Sequence, residues 1–166
     1  RRTQPQIIFE IGTAQGMSAA LMAMAINTNK NNGKILCVDT KLPHRISPHF
    51  TEAMDKELIE FYEADAFEFL NEIEETPDLI FVDADHRQEF CTKIAEILVN
   101  SFPLCTYAYH EWSLSTISTK PEIDYISRNE WLYQFYERPA FEKFFNDPKY
   151  KHTGFVGSCG LGVITQ

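Results

Sequence analysis

The sequence predicts an α/β fold: a doubly wound, mainly parallel seven-stranded sheet with a C-terminal antiparallel hairpin. Three observations point there. Short β-branched apolar runs alternate with helix-patterned segments along the first 100 residues, each run is short enough to be a buried strand, and the chain closes on two apolar runs separated by a glycine-containing turn. Such alternation suits a parallel sheet covered on both faces.

Ile7 to Ile11 reads as the first strand, ended by Gly12, and Met17 to Thr28 as a helix on its alanine and methionine content. Lys34 to Asp39 is the second strand, Thr51 to Ile59 a helix, Phe61 to Ala64 the third strand, and Ala66 to Glu74 a helix. Asp78 to Asp83 and Gln88 to Val99 form the next strand and helix. After Pro103 a fifth strand is expected over Leu104 to Tyr109. A Ser/Thr-rich connection follows from Ser113 to Thr119, then an aromatic helix from about Arg128 to Asn146 that Pro139 kinks or divides. HTGFVGSCGLGVITQ supplies the closing hairpin.

Composition limits the function. At 166 residues and 44% hydrophobic, the chain suits one domain over 1–166. It opens without Met and almost directly on a strand, which leaves room for a preceding N-terminal segment. A net charge of -9 and a pI near 5.0 argue against nucleic acid as a partner. Cys37, Cys91, Cys105 and Cys159 form no CxxC pair, and a reducing, cytoplasmic setting is expected. The most apolar run, Met17 to Ile26, is about half of the roughly 20 residues a membrane span needs, so no membrane role is expected. Oligomeric state is not legible.

The stretch FEIGTAQG places Glu10 before a turn with glycines at 12 and 16. In an open parallel sheet a ligand binds beyond the carboxyl ends of the strands, where a tight turn must admit it. An ordinary strand-to-helix turn would use the same glycines, so the other strand ends carry the weight: Glu10, Asp39, Asp65 and Asp83 should share one edge. Asp39 stands where an acid accepts both hydroxyls of a ribose, which admits nucleosides of several kinds. A dinucleotide fingerprint would read GxGxxG, whereas Ala14 occupies the middle position here and Glu10 would face the phosphates. A cationic ligand suits that acid better.

FEIGTAQGMSA, ILCVDT, YEADAFEFL and DLIFVDADH together resemble the successive motifs of class I S-adenosylmethionine-dependent methyltransferases, a Rossmann-like family. More narrowly they resemble the metal-dependent O-methyltransferases of the catechol and sugar type, in detail from Ile7 to Trp112. The resemblance implies that Glu10, Gly12, Thr13 and Gly16 surround the cofactor's methionine part. It gives Asp39 the ribose and places Asp65 and Ala66 at the adenine. Asp65 also suits an N-cap for the helix behind it.

The same resemblance implies a metal, Mg²⁺ or Mn²⁺, held by Asp83 with His110 and Glu111, and a proton acceptor at His86. Asp85 is a further possible ligand or a helix cap. The turn NSFPLC lacks the glycines usual in the family, with Pro103 supplying the bend. The loop from Pro43 to Phe50, Trp112 and the helix bearing Trp131, Tyr133 and Phe135 should wall an acceptor pocket for a hydroxylated small molecule. His44 and His49 have no assigned role. Two other readings stand beside this one: a catalytically silent nucleoside-binding or interaction domain, and a nicotinamide-dependent oxidoreductase.

Overall fold

The computed structural model describes residues 4–30, 32–42, 46–110, 137–155 and 161–166. Seven strands form one sheet in the order β3-β2-β1-β4-β5-β7-β6. They are β1 (Ile7–Ile11), β2 (Lys34–Asp39), β3 (Ile59–Glu63), β4 (Leu79–Val82), β5 (Thr106–His110), β6 (Lys151–Phe155) and β7 (Leu161–Thr165). The expected sheet, with its antiparallel C-terminal pair, is therefore present. The chain divides into two compact units, Arg1–Ala84 and Asp85–Gln166.

In the first unit, β1 runs parallel to β2 and β4, and β2 runs parallel to β3. Strands β1, β2 and β4 are apolar on both sides, with Phe9, Ile11, Ile35, Leu36 and Ile80 fully buried, while β3 at the edge exposes Glu60 and Glu63. That is the pattern of a sheet with two covered faces. Helix α1 (Met17–Asn29) turns Ala19, Ala20, Ala23 and Ile26 inward, and its small residues let it lie close to the sheet. These side chains join Ile8, Ile35, Phe50, Ala53 and Ile59 in one apolar cluster. Helix α3 (Ala66–Glu72) closes the other packing layer through Phe69, whose ring meets Phe9 edge-on at 5.3 Å.

Helix α2 spans Pro48–Asp55, earlier than the expected Thr51 to Ile59. Proline is preorganised for the first helical turn and starts the helix sooner. Glu57, at φ 57, then breaks it, and Ile59 pairs with Ile35 as the first residue of β3. Asp78, expected in the fourth strand, instead accepts the Gln6 and Ile7 N–H groups at 2.8 and 3.0 Å and so anchors the start of β1.

The second unit holds α4 (Gln88–Ser101), β5, α5 (Glu137–Phe144), β6 and β7. β7 lies antiparallel between β5 and β6. The fifth strand starts two residues later than expected, since Leu104 is 85% exposed and precedes it. Pro139 lies within α5, three residues into its described part. Ser113 to Thr119, the expected helix before Glu137 and the hairpin turn with Cys159 lie outside the described residues. Tyr109 stacks on Phe141 at 4.3 Å, and Tyr107 packs on Phe145 at 4.5 Å. Among the described residues no helix is long and apolar enough to cross a membrane.

Phe141 is fully buried and stacked on both Tyr109 and Phe145. Phe141→Ala should cost about 3–5 kcal/mol of unfolding free energy in a denaturant titration. A loss below about 1 kcal/mol would contradict the packing assigned to this unit.

Candidate functional site

Parallel strands bring their C-terminal ends to one edge, and the first unit places four acids there. Glu10 is the penultimate residue of β1, Asp39 ends β2, Asp65 follows β3 and Asp83 follows β4. The registers of β1 with β2 and β4, and of β2 with β3, make this arrangement a consequence of the sheet itself.

The turn from Gly12 to Gly16 contains three residues of positive φ: Gly12 at 91°, Ala14 at 44° and Gly16 at 75°. A Cβ on Gly12 would lie 2.2 Å from the Asp83 carbonyl oxygen, and one on Gly16 would lie 2.3 Å from the Phe50 ring. Both glycines therefore have an internal reason, close packing and a left-handed backbone, where the sequence suggested ligand approach or an ordinary strand-to-helix turn. Ala14 takes a conformation that L-residues disfavour, and the Asp39 carboxylate compensates. Its Oδ2 accepts the Thr13 and Ala14 N–H groups at 3.1 and 2.9 Å, while Oδ1 accepts the Thr40 N–H at 2.7 Å. Gly12 N–H bonds to the Val38 carbonyl at 3.0 Å, and Asp83 N–H to the Ile11 carbonyl at 2.9 Å. Asp39 thus shapes the turn before any ligand arrives.

Asp65 caps α3 as its residue type allows: Oδ1 accepts the Phe67 and Glu68 N–H groups at 2.8 and 3.3 Å. Both cap bonds use one oxygen, so Oδ2 keeps its acceptor capacity toward a ligand. Ala66 is the first residue of the helix.

Glu10 is fully buried. The Ser18 hydroxyl donates to its Oε1 at 2.5 Å, while Oε2 is buried with no hydrogen-bond partner. Burial is the main cause that pushes its pKa from an ordinary 4.5 to about 7; the Ser18, Cys37 and Thr13 side chains pull it back and the Asp83 carboxylate adds to the rise. Thr13 is itself buried, its hydroxyl directed to the Val38 carbonyl at 3.5 Å, and burial drives the Cys37 thiol strongly upward. Sequence reading missed Ser18 and Cys37. Their signal was weak: Ser18 is a polar residue in the first turn of an otherwise apolar helix, and Cys37 is the register partner of Glu10.

In the second unit, Asp85 pairs with Arg87. It accepts the Arg87 N–H at 2.9 Å and Nε at 2.7 Å, and pairs with the same guanidinium through Nη2. Those hydrogen bonds hold its carboxyl below the usual range. His86 is half-buried, directly ahead of Arg87, the N-cap of α4. His110 is the last residue of β5. Among the described residues no group of three His, Cys, Asp or Glu could hold a metal ion. Glu111, Trp112, Pro43, His44, Trp131, Tyr133 and Phe135 lie outside the described residues.

The Glu10 pKa has a stability consequence. The unfolded chain releases this proton near 4.5 and the folded chain near 7, so the contribution is full below pH 4.5 and is lost as pH rises to about 7. The difference corresponds to on the order of 3 kcal/mol. Glu10→Gln should remove that slope: urea titrations should show the variant gaining on the wild type between pH 4.5 and 7. A gap that is flat with pH would contradict the burial of an unpaired carboxyl here.

A family described as a methyltransferase domain matches residues 9–103. A comparison with curated proteins finds no match. Among solved structures, the S-adenosylhomocysteine-bound methyltransferase PaMTH1 of Podospora anserina is 20% identical, with a TM-score of 0.66 over 98% of this chain and 72% of that one. The O-methyltransferase TomG of Streptomyces achromogenes, involved in tomaymycin synthesis and solved with S-adenosylmethionine, is 19% identical, with a TM-score of 0.66 over 98% of this chain and 73% of that one. A fibrillarin/Nop5p complex shares the fold at 17% identity and a TM-score of 0.54, over 99% of this chain and 74% of that one. The fold is thus that of the class I methyltransferases, and the chain belongs to the methyltransferase-domain family.

Proposed function

We propose that the chain is an S-adenosylmethionine-dependent O-methyltransferase acting on a hydroxylated small molecule, such as a sugar or natural product, with divalent-metal assistance. The observation that carries the cofactor is Glu10. A buried carboxyl oxygen without a partner, beside a tight glycine turn at the strand ends, suits a cationic ligand. When bound, S-adenosylmethionine supplies a transferable methyl group on a positively charged sulfur. Glu10, Gly12, Thr13 and Gly16 would hold its methionine part. Asp39 offers about four acceptor positions and takes three backbone N–H groups with the Thr40 hydroxyl at 3.4 Å, so a ribose hydroxyl would displace that long contact. Asp65 Oδ2 and Ala66 would meet the adenine.

The acceptor side rests on chemistry. His86, with an imidazole that ordinarily titrates near 6.5, would take the proton from the acceptor hydroxyl. Asp83, His110 and Glu111 offer two carboxylates and an imidazole, a donor set suited to Mg²⁺ or Mn²⁺. The acidic chain supports a small-molecule acceptor over nucleic acid.

Calorimetry with S-adenosylhomocysteine tests the cofactor, and no binding by the folded chain would remove the proposal. Asp39→Ala should weaken that binding by about tenfold or more, through both the lost acceptor and the relaxed turn. His86→Ala should lower kcat with cofactor affinity unchanged. Equal loss of binding in both variants would contradict the division of roles. Turnover insensitive to a chelator would remove the metal alone.

A further inference from the structure

Among the described residues Glu10 is the one fully buried acid, and none of the groups that act on its charge is a cation. Each neighbouring element contributes something else. From α1 comes the Ser18 hydroxyl, on a helix with no charged residue; from β2 the Cys37 thiol; from the turn the Thr13 hydroxyl; and from the end of β4 the Asp83 carboxylate. Oε1 is fixed by Ser18 and Oε2 has no partner. A carboxylate in such a place is disfavoured as an ion until a cation comes near, and a low-dielectric setting lets that cation act across several ångströms.

The two ligands of the proposed reaction differ in charge at one atom. The sulfur of S-adenosylmethionine is cationic and that of S-adenosylhomocysteine is neutral, while the ammonium and carboxylate of the methionine part are common to both. We propose that Glu10 is a specificity-determining residue that reads the charge on the ligand's sulfur, favouring S-adenosylmethionine over S-adenosylhomocysteine and so loosening the hold on the product once that charge is gone. This inference rests on the reading of the chain as an S-adenosylmethionine-dependent methyltransferase.

Isothermal titration of both ligands against the full chain tests it. Glu10→Gln and Glu10→Met remove the charge with two different side chains of similar length, so that one folding failure leaves the other variant, and Glu10→Asp retains the charge. Both neutral variants should lose about tenfold in affinity for S-adenosylmethionine and less than about threefold for S-adenosylhomocysteine. Glu10→Asp should keep the wild-type preference. Equal loss for the two ligands would overturn the inference, since Glu10 would then serve a group common to both, and so would no loss for either. A wild-type chain that binds neither ligand would instead remove the reading beneath it.

Discussion

The carboxylate of Asp39 is the constraint on which the site depends. It sits at the end of β2 and receives the N–H groups of Thr13 and Ala14 from the turn that follows β1. Without it, Ala14 would hold a left-handed backbone with little to compensate, and two N–H groups would lose their acceptor. The turn is gripped from the far side as well, because Gly12 lies against the backbone of Asp83 and Ala84. One acid therefore ties the tips of neighbouring strands into a rigid rim, and the sheet's parallel register brings Asp65 and Asp83 to the same edge.

Inside that rim the electrostatics are one-sided. Glu10, Asp39, Asp65 and Asp83 are all acids, and Asp83 adds to the cost of ionising Glu10. The protein keeps the buried carboxyl tolerable with hydroxyl and thiol neighbours instead of a lysine or arginine. The resulting site is preorganised yet incomplete, a condition that a positively charged ligand resolves.

Much of this was legible in the sequence, where local pattern and structure agree. Ile7 to Ile11 and Lys34 to Asp39 are buried strands on short apolar runs that only Glu10 and the end residues Lys34 and Asp39 interrupt, and Asp65 is an acid followed directly by a helix. The misplaced second helix shows where pattern alone fails: Pro48 and the left-handed Glu57 set its limits, and neither belongs to the hydrophobic period. The packing reason for Gly12 and Gly16 was not readable, since it depends on Asp83 and Phe50, far along the chain. Ser18 and Cys37 escaped for the same reason, as neighbours of Glu10 only across the fold. The pairing of Asp85 with Arg87, two residues on, was likewise not readable from the pattern.

The most direct measurement is a crystal structure of the chain with S-adenosylhomocysteine bound. A ribose hydroxyl should lie on Asp39, the adenine beside Asp65, and the methionine part against the turn at Gly12, with the Thr13 and Ala14 bonds to Asp39 retained. Ligand density away from this rim, or a turn that opens by breaking those bonds, would contradict that arrangement.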